Sequence, residues 1–242
     1  MTNKLDLAVI ESRWWVDGNH SVRPIFDMLA GVIAGNPYSY HYEMFNNAES
    51  IKEIVRRLAD QRDTRYLYIA AHGNEDFICG PREQISRAVL RNLIADVRPR
   101  QLHGVFFGCC LFGEQVEALA ERAKVTWLAG YTERVDWVHS SAMDLYFWHA
   151  FYQSGASRAT RAPDRVTQML LLLWALLIRV PYMFVELGFR VTLSSDNTSY
   201  STFPDDYIDG SEPKDEYLAL HNLVVDFIKT NDPGTWPNTL PD

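Results

Sequence analysis

The sequence predicts an α/β fold in which helices cover both faces of a mainly parallel central sheet. Apolar runs of strand length alternate with helical patterns through the first 155 residues, and this alternation is typical of parallel strands joined by helices. Two runs, Tyr66–Ala71 and Gly104–Cys110, are apolar throughout, as expected of strands buried on both faces. With 242 residues, 47% of them hydrophobic, the chain can form a large core.

The first elements have clear signatures. Leu5–Ile10 has the apolar run of a short strand, and Val22–Ile33 carries apolar residues at helical spacing. Tyr38–Phe45 alternates along its length and is rich in aromatic residues, which favours a strand. Asn46, followed three residues later by Glu49, predicts a capping box at the start of the next helix.

The same alternation continues on either side of the two fully apolar strands. Ile85, Val89, Leu93 and Val97 recur at four-residue spacing, which predicts a helix between those strands. The further predicted elements are a helix at Glu114–Arg122, a strand at Val125–Ala129 and a helix at Ser141–Tyr152.

The pattern changes after residue 155. Met169–Ile178 is apolar without interruption, but Arg179 and Pro181 follow it closely. An arginine at a bilayer centre costs about 2.5–3.5 kcal/mol, and a proline there would break the helix. We therefore expect a buried helix rather than a membrane span, with Met169–Val185 as a candidate surface for self-association or for a regulatory protein partner.

The C-terminal part predicts three more elements. The pattern predicts a last strand at Gly188–Leu193, a polar loop at Ser194–Glu216 and an amphipathic helix at Tyr217–Ile228. No boundary divides the chain, so we expect a single domain over 1–242. Its core sheet lies in 1–155, and the apolar helix, last strand, polar loop and C-terminal helix lie in 156–242.

Composition excludes several classes of function. The net charge of −8 argues against nucleic acid as a partner, because phosphate binding needs clustered positive charge. Three cysteines and an N-terminus without an apolar signal segment predict a reduced, cytoplasmic protein. Neither metal-ligand spacing nor a glycine-rich phosphate loop occurs, so we expect no metal and no cofactor.

The candidate chemistry lies at the carboxyl ends of the strands, where open parallel sheets bind their ligands. His72 and Gly73 follow the Tyr66–Ala71 strand, and Cys110 ends the Gly104–Cys110 run. Only a few per cent of an ordinary cysteine is thiolate at neutral pH. His72 as general base and the N-terminus of a following helix would both activate Cys110.

Backbone N–H groups of Gly73 and Cys110 are candidates for an oxyanion hole. Successive residues of a strand face opposite sides, so only one of the two adjacent cysteines can face His72. We assign that position to Cys110 and a packing role to Cys109. Cys79 has no assigned role.

These residues resemble the caspase-like (clan CD) cysteine peptidases, and the bacterial CHAT-type branch more than the animal caspases. The matching segments are Tyr68–Gly73, Phe77–Ser86, Gly104–Gly113 and Leu128–Gly155. The resemblance implies a three-layer α/β/α sandwich and a dyad of a histidine base and a cysteine nucleophile. It also implies a protein or peptide substrate, and a partner or signal that activates the enzyme.

In this fold, charges beside the dyad select the substrate side chain. Asp136 is the first candidate for binding a basic side chain, and Glu11 is another. Arg13 is the candidate for an acidic side chain. Each of the three is alternatively a solvated loop charge.

The function predicted from the sequence is that of a cysteine endopeptidase with a His72/Cys110 dyad. Two alternatives remain open. One is a non-catalytic interaction module on the same fold, and the other is a different cysteine-dependent hydrolase, an esterase or amidase.

Overall fold

The structure is a computed structural model, and it describes residues 4–13, 20–60, 63–96, 102–113, 116, 119, 125–159, 161–180, 183, 186–195 and 198–201. The strands within these residues are β1 (Leu7–Ser12), β2 (His41–Phe45), β3 (Tyr66–Ala70), β4 (Phe77–Cys79), β5 (Gln84–Ser86), β6 (Gly104–Gly108), β7 (Trp127–Tyr131), β8 (Phe189–Ser195) and β9 (Thr198–Ser201). The helices are α1 (Arg23–Ala34), α2 (Ala48–Asp60), α3 (Arg87–Asp96), α4 (Trp137–Gln153) and α5 (Ala162–Arg179).

The main sheet has the strand order β2-β1-β3-β6-β7-β8-β9. The first five strands in this order, β2, β1, β3, β6 and β7, are parallel to one another, whereas β8 and β9 add antiparallel pairs at one edge. β4 and β5 form a separate antiparallel hairpin. The predicted fold class, an α/β protein with a mainly parallel central sheet, is confirmed.

Two buried clusters lie on opposite faces of the sheet. One contains Phe26 of α1 and Phe147 of α4 with Tyr68 of β3. The other contains Ile51 of α2 and Leu90 of α3. Alternate residues of each central strand belong to alternate clusters because strand side chains point to opposite faces. The result is a three-layer α/β/α arrangement.

The cap of α2 is shifted by one residue from its predicted position at Asn46. Asn47 Oδ1 accepts the N–H of Ser50 at 2.9 Å, and Ser50 Oγ accepts the N–H of Asn47 at 3.0 Å. The reciprocal pair is therefore Asn47 and Ser50 rather than Asn46 and Glu49, because Ser50 occupies the third helical position after Asn47.

Two segments contain strands that the sequence did not predict. Ile85 belongs to β5 and pairs with Ile78 of β4. Both side chains are buried, so hairpin packing outweighs the four-residue spacing that predicted a helix from Ile85. At the other end, β9 pairs with β8 inside the segment predicted as a polar loop.

Part of the apolar run of α5 packs into the chain's own core. Among its described side chains, those of Met169, Leu170, Leu172, Leu173 and Leu176 are buried, which confirms a buried helix and leaves these five side chains covered rather than open to a partner. In the described part of the chain, no helix is both long enough and apolar enough to span a membrane. The predicted helix at Tyr217–Ile228 lies outside the described residues, as does Glu114–Arg122 except for Val116 and Leu119.

Candidate active site

His72 and Cys110 stand at equivalent places after neighbouring strands. Ala70, the last residue of β3, is in register with Gly108, the last residue of β6, and each candidate residue follows two positions later. Both line one cavity of about 70 Å³. The structure therefore brings the predicted base and the predicted nucleophile to the same cavity.

Residue His72 is held through its backbone by the β4 strand. Its carbonyl accepts the N–H of Cys79 at 2.7 Å. The imidazole is partly exposed, and burial of the remainder lowers its pKa below the usual range. A neutral imidazole at physiological pH is the form that can accept a proton.

Gly73 lies directly against the cysteine pair. A Cβ at this position would lie 3.1 Å from Cys109 Cβ and 3.2 Å from the Cys110 carbonyl oxygen. Gly73 also forms a bridge with Ile78, and the hydrogen bonds of that bridge are made by the flanking residues. In such a pair the N–H of Gly73 points away from β4.

The two adjacent thiols face opposite layers. Cys109 belongs to the buried cluster under α2 and α3, donates from Sγ to the Ile69 carbonyl at 3.4 Å, and has its pKa raised by burial. Cys110 is half-buried, lines the cavity and donates from Sγ to the Val135 carbonyl at 3.7 Å.

A tight turn follows Cys110. Leu111 has a φ of 58°, which is uncommon for a residue with a side chain. The Phe112 N–H donates to the Cys110 carbonyl at 2.7 Å, and the Gly113 N–H donates to the Tyr131 carbonyl at 2.7 Å. These bonds fix the turn against the end of β7.

Glu11 is a buried structural carboxylate. It accepts hydrogen bonds from Ser21 Oγ at 2.7 Å, from the Val22 N–H at 2.8 Å and from Tyr42 Oη at 2.6 Å. Val22 lines the cavity. Glu11 therefore anchors one wall of the cavity from inside the protein and is not among the described residues that line it.

Asp136 caps α4. Its Oδ1 accepts the N–H groups of Val138 at 2.9 Å and His139 at 3.1 Å. These bonds, that of His139 first, hold the pKa of Asp136 below its usual range. Its neighbours Val135 and Trp137 line the cavity, which places Asp136 at the rim. Arg13 is exposed one residue beyond β1.

Sequence reasoning missed Asp144, the buried acid of the cavity. Asp144 Oδ2 accepts from Tyr68 Oη at 2.5 Å, and Oδ1 accepts from Tyr131 Oη at 2.6 Å. Burial raises the pKa of Asp144 to about 7, although both hydroxyl donors oppose the rise. The available signal was a single acid on the buried face of a predicted helix, between Met143 and Phe147.

Comparison with protein-family models and with curated proteins finds no match. Among solved structures, the chain is similar to iotapain, a secreted C11 cysteine protease from Bacteroides thetaiotaomicron, with a TM-score of 0.42 and 12% identity over 59% of this chain and 57% of that chain. It is also similar to a secreted C11 cysteine protease of that organism in complex with an irreversible peptide inhibitor, with a TM-score of 0.41 and 9% identity over 69% and 58% of the two chains.

A third similar structure is an inactive zymogen C11 protease from Parabacteroides distasonis, with a TM-score of 0.44 and 9% identity over 92% of this chain and 82% of that chain. The chain spans less than two thirds of the first two structures, at 57% and 58% of their lengths.

Proposed function

We propose that the protein is a caspase-like cysteine endopeptidase in which His72 is the general base and Cys110 the nucleophile. One observation carries the proposal: the two residues, each two positions beyond strand ends that are in register, line a single cavity. A histidine and a cysteine at a shared cavity are the minimal set for nucleophilic attack on an acyl group.

In the first step His72 accepts the thiol proton while Cys110 Sγ forms a bond to the carbonyl carbon of the peptide. The carbonyl oxygen becomes an oxyanion. Collapse of this intermediate breaks the C–N bond, and His72 returns the proton to the leaving amine. Water, deprotonated by His72, then hydrolyses the thioester and regenerates the thiol.

The N–H groups of Gly73 and Cys110 are the proposed donors to the oxyanion. The bridge geometry supports Gly73, because its N–H points away from β4. Removal of one such donor costs about 2.7–4 kcal/mol of transition-state stabilisation in a known enzyme.

The hydrogen bond from Cys110 Sγ to the Val135 carbonyl must break before the thiol can transfer its proton. Cys110 then rotates toward His72, and the substrate replaces the contact with the β7–α4 loop.

We further propose that a partner or signal favours this change, and that the protein acts in a reducing cytoplasm, where its three cysteines remain free as they are here.

The test is covalent labelling with a peptidyl acyloxymethyl ketone, read by mass spectrometry of the labelled peptide. Cys110 is expected to be labelled in the wild type and in the matched variants Cys109→Ala and Cys79→Ala. Cys110→Ala should abolish labelling, and His72→Ala should slow it roughly 100-fold or more. A labelling rate unchanged by His72→Ala overturns the dyad.

The same preparation distinguishes the alternatives. Turnover of small esters without any peptide cleavage indicates another cysteine hydrolase. Neither turnover nor labelling of a folded protein, verified by its cooperative unfolding, indicates an interaction module.

A further inference from the structure

The cavity that contains His72 and Cys110 has an acidic floor. Asp144 is the one carboxylic acid among the described residues that line this cavity. It is buried on α4, and its carboxylate bridges Tyr68 of β3 and Tyr131 of β7. These two strands flank β6, so the bridge passes over β6 just before the cysteine pair.

The walls above this floor are largely apolar. Val22, Ala71, Val135 and Trp137 line the cavity beside the dyad. Apolar walls keep the local dielectric low, so a charge on the floor acts strongly on whatever occupies the cavity.

We propose that Asp144 is the specificity-determining residue of this cavity, and that its carboxyl group decides whether the cavity accepts cationic or anionic substrate side chains. The proposal rests on the proposed function, in which the cavity takes the side chain next to the scissile bond.

The hydrogen-bond geometry accommodates both charge states. In the ionised state, the carboxylate accepts from both tyrosine hydroxyls at the oxygen–oxygen distances given above. When Asp144 is protonated, its Oδ1 can donate to Tyr131 Oη, because the Tyr131 hydroxyl also lies 3.2 Å from the Ser140 carbonyl and can donate there instead. Each donor keeps an acceptor, so the charge can change without movement of the heavy atoms.

Among the residues that the structure describes, few ionisable groups face Asp144. Tyr68 and His72 come from β3 and the loop after it, Cys110 follows β6, and Tyr131 comes from β7. Cys109 is also close enough for the charge of Asp144 to contribute to its raised pKa. From the other elements packed on this side, α1, α5 and β8 contribute apolar residues to the same buried cluster, among them Phe26, Leu173 and Phe189.

The sign of the effect follows from the raised pKa. Burial moves the pKa of Asp144 to about 7, so the floor is neutral in mild acid and a carboxylate in mild alkali. The ionised fraction of such a group rises from about one tenth at about pH 6 to about nine tenths at about pH 8. A cationic side chain gains attraction over this interval, and an anionic one meets increasing repulsion.

The experiment compares matched pairs of internally quenched peptides that differ only in the residue before the scissile bond. One pair carries lysine or norleucine, and the other carries glutamate or glutamine. The measured quantity is the ratio of kcat/KM within a pair from about pH 6 to about pH 8. Titration of the dyad cancels in this ratio because the same two residues cleave both members.

The lysine-to-norleucine ratio is expected to rise about tenfold over the interval, and the glutamate-to-glutamine ratio to fall. Both ratios should be independent of pH in Asp144→Asn. Glu53→Gln is the matched control, since it removes the same charge at an exposed position on α2, across the sheet from the cavity, and should keep the wild-type curves.

A second variant keeps the test valid if Asp144→Asn does not fold. Tyr131→Phe removes one donor to the carboxylate, which makes the ionised form less favourable, and the midpoint of both ratio curves should move to higher pH. A wild-type ratio that does not vary with pH overturns the inference, as does a variation that persists in Asp144→Asn. Failure to cleave any peptide together with failure to label Cys110 overturns the proposed function itself.

Discussion

The Tyr68 hydroxyl occupies the space that a side chain at position 108 would need. A Cβ on Gly108 would lie 2.1 Å from Tyr68 Oη and 2.5 Å from Cζ. Tyr68 cannot retreat, because its hydroxyl is bound to Asp144 and its ring packs against Phe26 and Phe106. The glycine before the cysteine pair is therefore required by the acidic floor of the cavity.

Gly108→Ala should destabilise the protein by about 1–3 kcal/mol through overpacking. The matched control is Gly31→Ala in α1, where an added Cβ meets no atom within 4 Å. Because alanine is the better helix former by about 0.8–1.0 kcal/mol, this control should gain stability. Urea unfolding measures both changes in the free energy of unfolding. If Gly108→Ala leaves this free energy unchanged, Tyr68 does not block the space beside Gly108.

Glu11→Ala should destabilise the fold because it leaves three donors, from Ser21, Val22 and Tyr42, without their acceptor. A buried donor that loses its partner, such as the Val22 N–H, costs about 1–3 kcal/mol, and the part-buried hydroxyls of Ser21 and Tyr42 cost less. Tyr42→Phe, which removes only one of these bonds, should lose about 1 kcal/mol. Equal losses in the two variants, again by urea unfolding, would show that the carboxylate is not the common anchor.

The pKa of Asp144 makes stability depend on pH with a defined sign. The folded state raises this pKa from the ordinary 3.8 to about 7, so between these values the folded protein holds a proton that the unfolded chain has lost. The stabilisation from protonated Asp144 is fully present below the pKa of the unfolded chain. It is lost as pH rises through the pKa of the folded protein, at up to about 1.4 kcal/mol per pH unit.

The wild type should therefore lose stability relative to Asp144→Asn between about pH 4 and about pH 7. Urea unfolding across this range measures the free energy of unfolding of both proteins. Subtracting one from the other removes the contributions of groups that the two proteins share. If the stability of the wild type relative to Asp144→Asn instead stays constant or rises with pH, Asp144 is ionised in the folded protein throughout this range.

Sequence patterns predicted the placement of His72 and Cys110 because parallel strands in register bring their carboxyl ends together. They could not reveal Asp144, because its role depends on two tyrosine hydroxyls from non-adjacent strands that both reach its carboxylate. Glu11 is the opposite case, a residue that the sequence placed near the substrate and the structure buries. It follows an apolar run, but β1 continues to Ser12, so Glu11 is part of the buried strand.

Arg87 connects the loops that carry the two candidate catalytic residues. Its Nε donates to the Glu75 carbonyl at 2.9 Å, in the loop after His72, and its Nη2 donates to the Phe112 carbonyl at 3.1 Å, in the turn after Cys110. The guanidinium also lies 4.1 Å from the centre of the Phe112 ring. A planar, multiply donating group is needed to make these contacts together.

Arg87→Lys keeps the charge but cannot reproduce the fork, so we expect the labelling rate of Cys110 to fall about tenfold while stability falls by no more than about 1–2 kcal/mol. Arg82→Lys, at an exposed position in the β4–β5 turn, is the matched control and should leave the labelling rate unchanged. If Arg87→Lys labels at the wild-type rate, the relative position of His72 and Cys110 is set by the strand register alone, and the contacts of Arg87 stabilise the fold without tuning the reaction.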